Sequence, residues 1–169
     1  MEKLLRIVNG IFSATITIFL GVMVFLVFMN VVLRYGFNSG ITESEELARF
    51  FFVWVVFLGA IAAHREKGHL GVDLLIGALP APVQKVMYVI VNIIIVAVLF
   101  LIIDGSVKMA IINSNSYSPA TGIPMSVLFF AAILAGVCMI IISIIHTIQY
   151  VFFNKNLPAW AKGRKEGEE

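Results

Sequence analysis

Between Arg6 and Arg34 the chain runs for 27 residues without a charged side chain. Apart from Asn9, Ser13, Thr15, Thr17 and Asn30, that run is Ile, Val, Leu, Phe, Met, Ala and Gly. As a helix it would extend about 40 Å at 1.5 Å per residue. That is longer than a hydrocarbon core of about 30 Å, so the helix either tilts or reaches both interfaces. A water-soluble fold has nowhere to hide it. The rest of the sequence agrees, with 60% hydrophobic residues and only 13% charged ones, against roughly 45–50% and about 25% in soluble domains. The spanning segments must satisfy their own backbone in lipid. The predicted class is therefore an all-α integral membrane protein.

The opening Met1-Glu2-Lys3-Leu4-Leu5-Arg6 has the form of a signal n-region. The apolar run after it is too long for a signal core and ends without a small-x-small cleavage pattern, which predicts a retained first span. The second span is less obvious, because only the 14 residues from Phe50 to Ala63 separate Arg49 from His64. Thr42-Glu43-Ser44-Glu45 fits a capping box, a Thr cap with Glu three residues on, so the helix is expected to begin with a charged turn near Glu43. Along it Glu43, Glu46 and Arg49 recur at i, i+3, and Glu45 and Arg49 at i, i+4, spacings at which charges offset one another.

His64 to His69 reads as a wet loop. Gly71 to Leu79 is apolar except for Asp73 and stops at Pro80-Ala81-Pro82. Too short to span, it is expected to lie in the interface as a short amphipathic helix. A third span rich in Ile and Val follows, then a loop broken by Pro119, Gly122 and Pro124, then a fourth span. One four-helix transmembrane domain over residues 1–154 is thus expected, with spans at about 9–33, 43–64, 85–108 and 125–152 and the interfacial helix at about 71–79. Residues 155–169 form a polar tail.

Nine of the twelve Lys and Arg residues fall in the N-terminus, the second-to-third connection and the tail; the remaining three are Arg34, Arg49 and Lys108. The positive-inside rule then puts both termini in the cytoplasm. The net charge of +2 gives no reason to expect nucleic acid. The single cysteine, Cys138, lies deep in an apolar run and makes neither a disulfide nor a metal site.

No Asp, Glu, Lys or Arg occupies the central part of any span. Ion-coupled carriers place such groups at mid-membrane, so independent transport is not expected. No nucleophile–base pair suggests an enzyme, and no catalytic, metal or substrate-binding residue and no cofactor is expected. Two alternatives stay open: a stand-alone small transporter or channel, and a four-helix haem or quinone protein using His64, His69 or His146. What stands out is a polar cluster at one membrane surface: Asn30 one turn from Arg34, and Glu45 and Glu46 one turn from Arg49. Snorkelling arginines and helix-capping glutamates would explain it. So would a charge network fixing the first helix against the second or against a partner, with Trp54 two turns past Glu46 as an anchor.

Five stretches resemble a known family. They are Asn30-Val31-Val32-Leu33-Arg34-Tyr35-Gly36-Phe37-Asn38, Glu45-Glu46-Leu47-Ala48-Arg49, Phe52 to Ala60, Gly68-His69-Leu70-Gly71-Val72-Asp73-Leu74-Leu75, and Ser118-Pro119-Ala120-Thr121-Gly122-Ile123-Pro124. In this order, over about residues 5–150, the chain is similar to the DctQ-like small membrane subunit of tripartite ATP-independent periplasmic (TRAP) transporters. The resemblance implies a bacterial inner-membrane protein, embedded in phospholipid, that supports a large multi-span subunit moving substrate and sodium by an elevator motion. It also implies a periplasmic substrate-binding protein. Family substrates are organic acids such as C4-dicarboxylates and sialic acids, and overall likeness leans to the sialic acid type. Asn30, Arg34, Glu43, Glu45, Glu46, Arg49, Trp54, His69 and Asp73 are then candidates for the subunit joint or a structural polar network. Asn38, Ser39, Ser116, Tyr117, Pro119 and Thr121, on the outward segments, are candidates for docking the periplasmic protein.

Overall fold

The computed structural model describes residues 2–65 and 81–153. The expected interfacial helix, with His69 and Asp73, and the tail lie outside those residues. Four helices follow in order: α1 (Glu2–Gly36), α2 (Thr42–Arg65), α3 (Ala81–Ile112) and α4 (Ser126–Phe153). All four contain stretches long and apolar enough to cross a membrane: Gly10–Gly36, Thr42–Arg65, Val86–Ile112 and Ser126–Gln149. Among the described residues there is no strand, and Tyr117 and Pro124 form an isolated antiparallel bridge. The protein is an all-α integral membrane protein.

Each helix end has a local cause. α1 runs past Leu33 to Gly36 and is turned by Asn38, whose φ of 54° is left-handed. Asparagine tolerates that region better than most residues, and the turn lets the Ser39 N–H donate to the Leu33 carbonyl (3.2 Å). α2 carries Glu43 and Glu45 in its first turn and His64 and Arg65 in its last, each sign opposite the helix-dipole end it meets. α3 takes Pro82 into its first turn, where a missing N–H costs nothing. It continues beyond Lys108 to Ile112 because nothing breaks the apolar pattern before Asn113-Ser114.

Two compact units are recognisable. The first joins the described residues of Met1–Ala60 to Ser106–Ala132. Here Phe19 meets Phe51 edge to face (centroids 5.2 Å apart), and Ala48, Phe50, Leu58 and Ala131 are buried. The second joins the described residues of Ile61–Gly105 to those of Ile133–Glu169. In it Ala135 and Gly136 are buried on α4 beside Leu99 of α3. A Cβ at Gly136 would meet Ile103 Cγ1 at 2.6 Å, so glycine is what allows α4 this close to α3. Small residues at such contacts are the usual route to packing in lipid.

Candidate functional site

The polar residues gather in the first unit, where α1 ends, α2 begins and the 113–125 loop turns. Glu45 and Glu46 are sequence neighbours, about 100° apart around a helix of 3.6 residues per turn, so they face different elements.

Glu45 faces α1. Its Oε1 accepts from Asn30 Nδ2 (2.9 Å) and from Arg34 Nη1 (3.3 Å). Asn30 is buried and works in both directions, since its Oδ1 accepts the Ile41 N–H at 2.8 Å. Ser44 adds a third tie, its hydroxyl donating to the Leu26 carbonyl (3.0 Å). The expected capping box therefore does not close: Glu45 is drawn to α1, and the chain entering α2 is held by Asn30. An orphan N–H at a helix start can be met by any acceptor in reach, and here a neighbouring helix supplies it.

Glu46 faces the loop. It is 8% exposed, and its carboxylate accepts from the Ser118 hydroxyl, the Ala120 N–H (3.1 Å to Oε1), the Thr121 N–H (2.9 Å) and the Thr121 hydroxyl (3.0 Å). The Ser-Pro-Ala-Thr-Gly sequence makes this cradle. Two hydroxyls flank it, Pro119 fixes the chain without adding a competing N–H, and Gly122 takes φ +67°. The Gly122 N–H returns to the Ser118 carbonyl (2.9 Å), and Ser118 N–H to Ile123 and Met125 N–H to Ser116 close the base of the loop. A buried carboxylate is tolerable when its lone pairs are met this fully. Among the described residues, no buried side-chain nitrogen or oxygen lacks a partner.

This arrangement revises the expected charge pattern along α2. Glu46 and Arg49 do not pair; Glu46 is occupied by the loop. Arg34 pairs with Glu45, although that ion pair is open to its surroundings, with side chains 67% and 51% exposed. Arg49 is exposed and among the described residues makes no hydrogen bond or ion pair. Glu43 is exposed in the first turn of α2. Trp54 is half-buried and lies 6.5 Å from the Phe130 ring at a tilt of 46°, so it packs within the chain.

Of the residues expected to dock a partner, Asn38, Ser39, Ser116, Tyr117 and Pro119 are exposed. Thr121 is half-buried and committed to Glu46. Sequence reasoning passed over Ser118 and Ser44. Hydroxyls at both shoulders of a Pro-Gly turn mark Ser118 and Thr121 as a polar turn, but nothing in the sequence ties that turn to Glu46, 72 residues away from Ser118. In the second unit His64 Nε2 lies 2.9 Å from the buried Ser143 Oγ, which gives that histidine a structural partner.

Residues 23–153 match the family model described as "Tripartite ATP-independent periplasmic transporters, DctQ component". A protein of Haemophilus influenzae assigned as a TRAP transporter small permease is 37% identical over 153 residues, covering 90% of this chain and 95% of its own. The C4-dicarboxylate TRAP transporter small permease protein DctQ of Vibrio cholerae is 36% identical over 91 residues, covering 54% of this chain and 39% of its own. The sialic acid TRAP transporter permease protein SiaT of Haemophilus influenzae is 29% identical over 92 residues, 54% of this chain and 15% of that longer protein. The family model spans the Asn30–Glu45 and Glu46–loop contacts as well as most of the four helices, and on that match this chain belongs to the DctQ family, the small permease component of TRAP transporters.

Proposed function

We propose that this small permease works in a bacterial inner membrane as the fixed support of a sodium-coupled organic-acid transporter. A large multi-span subunit carries substrate and sodium through an elevator motion, and this chain broadens and anchors the part that stays still. Both termini face the cytoplasm, and the 37–41 and 113–125 connections face the periplasm. Substrate reaches the large subunit from a periplasmic binding protein. The observation that carries this reading is the family match across residues 23–153, joined to the absence of Asp, Glu, Lys and Arg from the middle of every span. A subunit that need not bind the ion needs no such group at mid-membrane.

The proposed substrate class is a carboxylate, a reading supported by relatives described for C4-dicarboxylate and for sialic acid. The deciding experiment is uptake into vesicles under a sodium gradient, with sialic acid and a C4-dicarboxylate each supplied on the cognate binding protein. This chain alone is expected to give no uptake, and uptake is expected when the large subunit is added. Uptake by this chain alone would overturn the support role.

The exposed Asn38, Ser39, Ser116, Tyr117 and Pro119 are proposed to touch the binding protein. Charge-introducing substitutions there should weaken uptake while the two membrane subunits remain associated. Crosslinking that joins the binding protein to the large subunit only would remove this part of the proposal.

A further inference from the structure

Along α1, Met23, Val27, Asn30 and Val31 line one wall of an open groove, and along α2, Glu45, Ala48, Arg49 and Phe52 line the other. The groove between them has a volume of about 390 Å³. The spacings are i, i+4, i+7, i+8 on one wall and i, i+3, i+4, i+7 on the other, which are the face periods of two helices lying side by side. Two such stripes form a trough into which the side-chain ridge of a third helix fits. Val27, Val31 and Phe52 are about half exposed in it (48%, 47% and 54%).

Apolar exposure alone would mark only a lipid face. This groove differs in its charge. Glu45 is balanced by Arg34 and tied to Asn30. Glu46 is buried and has its oxygens in the loop cradle. Arg49 is left exposed, with no hydrogen bond or ion pair among the described residues, so the groove holds a guanidinium whose donors are unmet there. Arg49 stands seven residues into α2, about 10 Å along its axis, and one turn deeper than Glu45. A phosphate headgroup at the level of the helix ends meets the exposed Arg34 first. A cation at the depth of Phe52 and Val27 is expensive to leave facing hydrocarbon.

We infer that this groove seats a membrane-spanning helix of the large subunit, and that the helix brings a carboxylate to Arg49. The inference rests on the proposed small-permease role and deepens it by naming the joint. The apolar walls supply close packing and the single ion pair fixes register, the combination expected where no hydrophobic force drives helices together. Guanidinium suits this task because its planar donors engage a carboxylate in a fixed geometry.

The test uses the affinity-tagged chain co-expressed with its large subunit. In a Cys138→Ala background, single cysteines replace Val27, Val31 or Phe52 in the groove, and Phe100 or Leu101 on α3 as comparison. Each carries a benzophenone maleimide. Light should join the groove positions, and not the α3 positions, to the large subunit. Arg49→Glu should lower the large subunit retained on the tag about tenfold or more, the loss expected when a desolvated charge pair becomes a repulsion. Arg49→Lys should retain most of it. No photoproduct from the groove, while the tagged chain still retains the large subunit, overturns the placement and leaves the small-permease role standing. Failure of the unsubstituted chain to retain the large subunit overturns that role itself. Full retention by Arg49→Glu, with loss of co-purifying phosphatidylglycerol, would assign Arg49 to lipid and overturn the ion pair. The photoproducts decide the placement even if Arg49→Glu does not fold.

Discussion

At the scale of single residues, the informative pair is Glu45 and Glu46, whose different partners come from one step around a helix. Charge at Glu46 is held by four donors, so removing the acceptor strands them. Glu46→Ala should lower the melting temperature of the purified chain in detergent the most, Glu46→Gln less, and Ser118→Ala least. The amide of Gln keeps one acceptor but sets an NH2 against a donor. Equal melting for all three would show that the loop does not depend on the carboxylate. Asn30 is buried and joins the Ile41 N–H to Glu45. Asn30→Leu should therefore cost about 1–3 kcal/mol, the usual penalty for leaving buried polar groups unmet. Arg34→Gln should cost less, because an exposed ion pair contributes about 0–1 kcal/mol. Chemical denaturation of the two variants ranks them directly. The partner of Glu46 was not legible beforehand: 72 residues separate it from Ser118, and i, i+3 and i, i+4 rules see only a helix's own face.

At the scale of elements, α4 is governed by what its small residues permit. Gly136 sits where a Cβ would collide with Ile103. Gly136→Ala should already be destabilising, since its Cβ would stand 2.6 Å from Ile103 Cγ1 and that β-branched side chain, or α4 itself, has to move to make room. Gly136→Leu should push α3 and α4 apart and cost about 1–3 kcal/mol, the range for overpacking. A melting series of Gly, Ala and Leu at this position checks the order, and a flat series would mean the contact is loose. In the 113–125 loop, Gly122 has space around it but a left-handed φ of +67°. Gly122→Val should open the cradle around Glu46 through backbone strain, about 1–3 kcal/mol for a residue forced into a sparse region. Hydrogen exchange should then show faster exchange at the Ala120 and Thr121 amides. The lengths of the four helices were readable from hydropathy because lipid leaves helix as the only form for an isolated apolar segment. The helices themselves are longer than the expected spans, with α1 reaching Gly36 and α3 reaching Ile112, since extending a formed helix adds one hydrogen bond per residue fixed.

At the scale of the whole molecule, the proposed orientation rests on charge bias and is directly testable. In a Cys138→Ala background, a cysteine at Ser116 should react with an impermeant maleimide added outside spheroplasts, and a cysteine at Lys162 only after lysis. The reverse pattern would invert the proposed topology. Composition and hydropathy by themselves determined that this chain lives in lipid, crosses it as helices and keeps charge out of the middle of its spans. The physical reason is that the bilayer is a solvent with one dominant rule, written in runs of about twenty residues. What only tertiary structure decided is how the surface charges are spent. Glu46 goes to a loop far along the chain, Glu45 to α1, and Arg49 to no residue described in its own chain. Sequence spacing treats those charges as one network because it knows only the helix they share. Three-dimensional packing separates them, since a helix turns neighbouring side chains toward different neighbours. Of the cluster of Asn30, Arg34, Glu45, Glu46 and Arg49 that the sequence singles out, Arg49 is the one that makes no hydrogen bond or ion pair among the described residues.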